Sequence, residues 1–277
     1  MKSTLSSKSQ VFIFFLCTYA VSWSLFMIGK KLDVLPIILL GVWTPSLMAL
    51  LLTFLFMGKK AIRRFLGRFG RTNIKWYWWL VLLTLPFIIH LIGRSIWELW
   101  EYGEVSLKVL PLKYWLGAFI PSILIAGLGE ELGWRGFALP RLQQNFSPIV
   151  ATLILAVIHL LWHLPTYWLG QGMHNVPFVY VIAFVLPWTI IFNWLYNRSG
   201  GSLLFAVGFH AISNTSLSLV RFLPLEREVG ISPELLSMTS LPRELAGPYL
   251  SVCAIYAVVA ILVLWRGQFN KVNTDTP

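Results

Sequence analysis

Three ionisable residues, Glu130, Glu131 and Arg135, follow an apolar stretch that covers residues 115–128. An ionisable group in the middle of a membrane helix costs about 2.5 to 3.5 kcal/mol, so it needs a partner or a function. On a helix, Glu131 and Arg135 share one face at the spacing that favours an ion pair. Glu130 points about 100° away and is available for acid–base chemistry. The alternative is that both glutamates are solvated at the cytoplasmic interface.

Two histidines, His159 and His163, lie four residues apart in another apolar stretch and therefore on one helix face. Paired histidines at this spacing bind zinc in some helices, although the His-Glu-x-x-His pattern is absent here. The alternative is that they are hydrogen-bonded core residues. The spacing alone leaves both interpretations open.

His210 and Asn214 repeat the same spacing in a third apolar stretch. Both side chains can donate hydrogen bonds, which suits an oxyanion hole in a site with little water. A polar clamp between helices is the alternative. If the three helices meet, the chain combines a base that activates water with donors for a tetrahedral oxyanion. These are the requirements of acid–base hydrolysis.

The composition indicates that a lipid bilayer surrounds these stretches. Hydrophobic residues make up 57% of the 277, charged residues only 12%, and the mean hydropathy is +0.72. Soluble domains carry about 25% charged residues. The net charge of +11 comes from basic residues between apolar segments, which favours a membrane surface over nucleic acid as partner. The two cysteines, Cys17 and Cys253, exclude a disulfide framework.

Apolar stretches long enough to cross the bilayer predict an all-α, polytopic membrane helix bundle of about eight transmembrane helices. We expect a single integral membrane domain over residues 1–277, whose first helix is retained rather than cleaved as a signal peptide. The predicted spans are 11–29, 34–57, 76–96, 114–138, 148–168, 177–196, 202–223 and 247–265.

The distribution of charge between the spans predicts the orientation. The loop 58–75 carries seven basic residues and no acidic one, so it should be cytoplasmic by the positive-inside rule. Threading the spans from this loop places both termini in the cytoplasm and assigns Glu98, Glu101 and Glu104 to the opposite side. We therefore expect a multi-pass protein of the cell membrane.

The three motifs resemble those of the CAAX prenyl protease 2 and bacteriocin-processing (CPBP) family of intramembrane proteases. The series is Glu-Glu-x-x-x-Arg, aromatic-x-x-x-His and His-x-x-x-Asn, in that order, within about residues 114–220. The stretches EELGWRGFALPRL at 130–142 and Trp-His-Leu-Pro at 162–165 are especially similar to a bacterial branch. The resemblance implies an endopeptidase that hydrolyses a membrane-associated peptide or protein, as in bacteriocin processing.

The resemblance also implies roles for individual residues. Glu130 would be the general base, His163 would share or orient the attacking water, and His210 with Asn214 would hold the oxyanion. Whether a divalent metal such as zinc takes part stays open.

The remaining motif residues would support the site. Glu131 and Arg135 would stabilise it as an ion pair. His159 departs from the family pattern, which has Phe or Trp at that position. Distances along straight helices favour His159 slightly as the partner of Glu130, so it is an accessory ligand or a substitute for His163.

Two other classes of function are compatible with the sequence. One is a non-catalytic membrane factor in bacteriocin immunity or scaffolding on the same fold. The other is a transporter or channel, which the lack of an inverted repeat disfavours. Neither the substrate, nor its prenylation, nor the oligomeric state follows from the sequence.

Overall fold

The computed structural model describes residues 5–105, 113–169, 173–219, 240–266 and 269, and these residues form helices joined by turns. The helices, in chain order, are α1 (Ser7–Leu32), α2 (Leu35–Met57), α3 (Lys59–Gly67), α4 (Trp76–Tyr102), α5 (Lys113–Pro121), α6 (Leu128–Glu131), α7 (Leu139–Asn145), α8 (Pro148–Trp162), α9 (Leu164–Trp168), α10 (Phe178–Arg198), α11 (Leu203–Leu219) and α12 (Arg243–Trp265). No β-strand occurs among them, which confirms the all-α prediction.

Seven segments of the described chain are long and apolar enough to cross a membrane. They are α1, α2, α4, the continuous segment Tyr114–Asn145, the segment Pro148–Trp168, α10 and α12. The eighth predicted span, 202–223, corresponds to α11, and its residues 220–223 lie outside the described residues. At about 1.5 Å per residue, α11 is ~26 Å long, slightly short of the ~30 Å hydrocarbon core. The protein is a multi-pass helical membrane protein.

The fourth span is one helix from Tyr114 to Asn145, longer than the predicted 114–138. It continues because the charge of Arg141 is accommodated inside the protein. The guanidinium of Arg141 donates to Gln10 Oε1 at 2.9 Å and to the Phe137 carbonyl at 3.0 Å. The helix therefore does not end before Arg141, although the predicted span ended at residue 138.

Two π-helical segments, Ser122–Gly127 and Leu132–Ala138, flank α6, which carries the two glutamates. Such widened turns occur often at functional sites. The helix also lies very close to α2: a Cβ on Gly133 would approach the backbone of Pro45 to 2.6 Å. Glycine is therefore needed at 133, and it brings α2 against the glutamate-bearing helix.

The fifth predicted span, 148–168, is not straight but breaks at His163. Pro165 has no N–H to donate to the helix preceding it, so α8 ends at Trp162 and α9 begins after the break. The Trp162 carbonyl accepts a hydrogen bond from Trp23 Nε1 at 3.2 Å. The break places His163 at the end of α8 rather than within a continuous helix.

The turn after α3 is fastened to the bundle by Arg68. Its guanidinium donates to the carbonyls of Gly136 and Gly201, at 2.7 Å and 3.1 to 3.2 Å, and to the hydroxyl of Tyr196. Burial, together with the charges of Arg71 and Arg141, lowers the pKa of Arg68 to about 9. This contact joins the basic loop to the helices that carry the motifs.

Candidate active site

Glu130 and His159 meet in the interior of the bundle. His159 Nε2 lies 2.9 Å from Glu130 Oε2, and both side chains are almost completely buried. Glu130 comes from α6 and His159 from α8. Of the two histidines at helical spacing, the structure brings His159 into direct contact with the carboxylate.

Glu131 has different partners from its neighbour. Arg135 Nη1 donates to its two carboxylate oxygens at 2.9 and 3.1 Å, so the ion pair predicted from the spacing is present. His210 Nδ1, on α11, lies 2.6 Å from Glu131 Oε1. Glu131 therefore links the first motif to the third, and the two adjacent glutamates face different partners as expected.

Arg135 is anchored by residues that the motifs did not reveal. Its Nε donates to Asn193 Oδ1 at 3.1 Å, and Asn193 Nδ2 in turn donates to Thr152 Oγ1 at 3.1 Å. The guanidinium also lies 3.8 Å from the centre of the Phe192 ring. Asn193 could have been found from the sequence, because an amide inside the apolar span 177–196 is costly without a partner.

The hydrogen bonds constrain the protons of the two histidines. A carboxylate only accepts, so each contacting nitrogen carries the hydrogen. In a neutral ring, His210 Nε2 is then an acceptor, and it donates only when the ring holds both protons. The same reasoning leaves His159 Nδ1 as an acceptor, and this atom is buried without a hydrogen-bond partner among the described residues.

A cavity of about 370 Å³ lies beside these groups. Its walls include Glu130, His159, His163, His210 and Asn214, so the residues predicted to be catalytic share one space. The other lining residues are Ser122, Leu160, Met173, His174, Phe184, Val185, Trp188 and Leu217. Seven of these thirteen lining residues carry polar side chains that converge on the cavity, and the others are apolar or aromatic, a combination that suits a binding site.

Two groups of side chains in the site have metal-ligating atoms within 4.8 Å of one another. One consists of Glu130, His159 and His163, and the other of Glu130, Glu131 and His210. Because Arg135 already neutralises Glu131, the first group suits a cation better. Two imidazoles and one carboxylate are the donor set of some catalytic zinc sites.

His174 is a cavity residue that the sequence analysis missed. It lies in the turn Met173–Asn175, with a left-handed φ of 59°. Its Nδ1 is 3.2 Å from the Tyr249 hydroxyl, and its ring packs edge-on against Phe184 at 4.5 Å. Burial and the charges of nearby histidines lower the pKa of His174 to about 3. No spacing pattern marked this residue, because a loop brings it to the site.

The region that carries the three motifs matches a known family. Residues 111–216 match the family described as type II CAAX prenyl endopeptidase Rce1-like. The matched region contains all three motifs, in agreement with the resemblance seen in the sequence.

One similar protein is a CAAX prenyl protease 2 of Methanococcus maripaludis, which is 29% identical over 150 residues. The aligned region covers 50% of this chain and 51% of the relative. The chain thus spans about half the length of the relative it matches.

Proposed function

We propose that this protein is a membrane-embedded endopeptidase that uses Glu130 to activate water. The observation that carries the proposal is the convergence of Glu130, His163 and Asn214 on one cavity. They come from three separate helices, and all lie within the region that matches the protease family. A structural clamp would not require a cavity beside the carboxylate.

The positions of these groups support the following reaction. Glu130 takes a proton from a water as the water oxygen attacks the carbonyl carbon of the scissile peptide. The tetrahedral oxyanion accepts hydrogen bonds from Asn214, and from His210 when that ring holds both protons. Glu130 then delivers its proton to the leaving nitrogen, and the C–N bond breaks. Base catalysis of this kind contributes about 10²- to 10⁴-fold.

The two histidines of the second motif have different roles in this proposal. The ligating atoms of Glu130 and His163 lie within 4.8 Å, a separation that one water can bridge with two hydrogen bonds. His163 therefore shares and orients the water. His159, in direct contact with Glu130, is an accessory group that fixes the carboxylate.

Glu131 and Arg135 complete the site as supporting residues. Their ion pair is fully buried, and Glu131 orients His210 through Nδ1. This contact turns His210 Nε2 away from Glu131.

A divalent metal such as zinc fits the same residues. The buried, unpartnered Nδ1 of His159 is the kind of atom that commonly contacts a bound water or ion. Glu130, His159 and His163 would hold the metal. When bound, it would acidify the water that it holds.

The substrate in this proposal is a membrane-associated peptide or protein. The name of the Methanococcus relative states that it is a prenyl protease. For this chain we propose only the shared reaction, cleavage of a peptide bond. We also propose a location in the cell membrane with both termini in the cytoplasm, and a single membrane domain over residues 1–277.

The test is a comparison of intact protein with Glu130→Gln and His210→Ala in the native host. Membrane-associated peptides are followed by mass spectrometry, and Glu104→Gln, at an exposed position, is the matched control. We expect a shortened peptide with the intact protein and with Glu104→Gln, but not with Glu130→Gln. If folded Glu130→Gln yields the same peptides, a non-catalytic role in immunity or scaffolding replaces the proposal.

A further inference from the structure

The short helix α3, Lys59–Gly67, divides its side chains among three faces. One face is buried and consists of Ala61, Phe65 and, in the following turn, Arg68. A Cβ added to Gly136 would approach the Phe65 ring to 2.9 Å, so this face packs against the glutamate-bearing helix. The buried face holds α3 on the surface of the bundle.

The second face of α3 is cationic. It consists of the exposed side chains of Lys59, Lys60, Arg63 and Arg64. At about 100° per residue these positions fall within an arc of about 140°. The sequence holds no acidic residue between Asp33 and Glu98. None of the four cations forms an ion pair with another described residue, so this face presents positive charge that no protein carboxylate balances.

These charges are unfavourably placed for α3 itself. Lys59 with Arg63, and Lys60 with Arg64, are like charges four residues apart, which repel on a helix. The two lysines also lie in the first turn, where positive charge opposes the helix dipole, and no side chain caps that turn. A helix of nine residues is too short to be stable alone in water. An anionic partner beside this face would remove the repulsion.

The third face of α3 is apolar and borders the cationic one. Ile62 and Leu66 form it, and Leu66 is 40% exposed. The last turn of α2, just before Gly58, also exposes the apolar side chains of Phe54 and Leu55. Because α2 is long and apolar enough to cross the membrane, α3 lies where the hydrocarbon meets the polar head groups.

The start of α4 lies at the same kind of boundary. Lys75 directly precedes this helix, and Trp76 and Tyr77 begin it with exposed rings. Tryptophan and tyrosine are enriched where a membrane meets water. The connection from α2 to α4 therefore begins and ends at a membrane interface, and α3 lies between these two points.

We propose that the cationic face of α3 binds the phosphate of an anionic phospholipid, whose acyl chains pack on Ile62, Leu66 and the exposed end of α2. Lysine and arginine donate strong, charge-assisted hydrogen bonds to phosphate oxygens. A helix with adjoining basic and apolar faces is attracted to anionic lipid at an interface. Nucleic acid and acidic peptides match the charge but not the apolar face. The proposal depends neither on proteolysis nor on the orientation of the protein in the membrane.

Lipid retention by the purified protein tests this proposal. The chain in detergent is mixed with equal amounts of phosphatidylglycerol and phosphatidylcholine, and the retained lipids are counted by native mass spectrometry. The native chain should retain phosphatidylglycerol preferentially. Lys59→Gln/Lys60→Gln should bind it at least about tenfold more weakly, because each cation near an anionic surface contributes about fivefold. The matched control is Lys30→Gln/Lys31→Gln, which removes two exposed lysines at the end of α1 and should bind like the native chain.

Equal retention of the two lipids by the native chain would overturn the proposal, and so would equal losses in the two double variants. If Lys59→Gln/Lys60→Gln does not fold, the native chain alone still provides a test. Washing at high salt before the measurement screens the charges and should deplete phosphatidylglycerol relative to phosphatidylcholine. An unchanged ratio of the two lipids would contradict binding through the cationic face.

Competition identifies the chemistry that the site recognises. Glycerol phosphate carries the charge of the head group without acyl chains, and polyglutamate carries the charge of an acidic protein segment. Neither should displace phosphatidylglycerol from the native chain at equal concentration. Displacement by glycerol phosphate would show a site for free phosphate, and displacement by polyglutamate would show a protein-binding surface. Either result would overturn the lipid assignment.

Discussion

His159 Nε2 lies 2.9 Å from Glu130 Oε2, although the family pattern has an aromatic residue at the position of His159. His163, one turn later, lies at the end of α8, and its ring centre is 5.2 Å from that of His159. The carboxylate thus has one imidazole in contact and a second within reach through a water. Because the two histidines have different relations to the carboxylate, substitutions can test their roles separately.

Replacing each histidine should affect proteolysis to different extents. His163→Ala removes the group that shares the water and should lower the rate of Glu130-dependent cleavage by about 10²- to 10⁴-fold. His159→Phe restores an aromatic side chain and should lower it by about tenfold or less. Rates are compared from product peptides quantified over time. Equal losses in the two variants would show that His159 is as essential as His163.

Zinc binding should depend on His159. In purified protein, competition with a zinc-sensitive dye should give an affinity at least about tenfold weaker for His159→Phe than for the native chain, because one of three ligands is lost. Glu104→Gln is the matched control and should bind like the native chain. Equal affinities for all three proteins would rule out the Glu130, His159 and His163 group as the metal site.

Breaking the buried ion pair should destabilise the protein more than breaking an exposed one. Arg135→Met leaves a buried carboxylate without its cation, at a cost of about 3 to 5 kcal/mol. Arg243→Met removes the partner of Glu101 at a position where the arginine side chain is 67% exposed, and should cost about 1 kcal/mol or less. Thermal unfolding in detergent measures both, and similar losses would contradict the assigned role of Arg135.

Position 133 should tolerate no residue larger than glycine. In Gly133→Ala the new methyl group would lie 2.6 Å from the Pro45 backbone, so α2 must move away and the unfolding temperature should fall. Gly117→Ala is the control, because a Cβ there meets no atom within 4 Å. That variant should be neutral or slightly stabilising, since alanine favours helix over glycine by up to about 1 kcal/mol.

Acid should destabilise the protein partly through His174. Burial holds the pKa of this residue at about 3, whereas an exposed histidine titrates near 6.5. The unfolded chain therefore binds the extra proton first, and stability falls as the pH drops from about 6.5 towards 3. His174→Gln should lose less stability than the native chain between pH 7 and pH 5 in the same unfolding assay. An identical pH dependence would show that His174 is not buried in solution.

Helical periodicity was sufficient to predict the contacts within a single helix. The Glu131–Arg135 ion pair and the separate directions of Glu130 and Glu131 follow from spacing, as does the helical membrane fold from apolar length. The hydrogen bond between Asn193 and Arg135 could not be predicted in this way. It joins two different helices, and residue spacing within one helix does not say how two helices are rotated relative to each other. The site roles of Glu130, His163, His210 and Asn214 stay predictions that the variants above test.

The straight-helix assumption failed at one position for a reason visible in the sequence. Pro165 lies two residues after His163 and interrupts the hydrogen bonding of the fifth span. The break follows His159, and the distances along the helix, which slightly favoured His159 as the partner of Glu130, agree with the observed contact. His174 lay beyond prediction altogether, since a turn with a positive φ brings it to the cavity from outside any apolar stretch.

Arg68 couples the direction of membrane insertion to the assembly of the bundle. The loop whose positive charge predicts the orientation also supplies the guanidinium that binds the carbonyls of Gly136 and Gly201. If α1 and α2 were inserted upside down, this guanidinium would lie across the bilayer from both carbonyls. Correctly and incorrectly inserted chains thus differ in a buried contact, and the two glycine carbonyls lose their charged donor in the incorrectly inserted one.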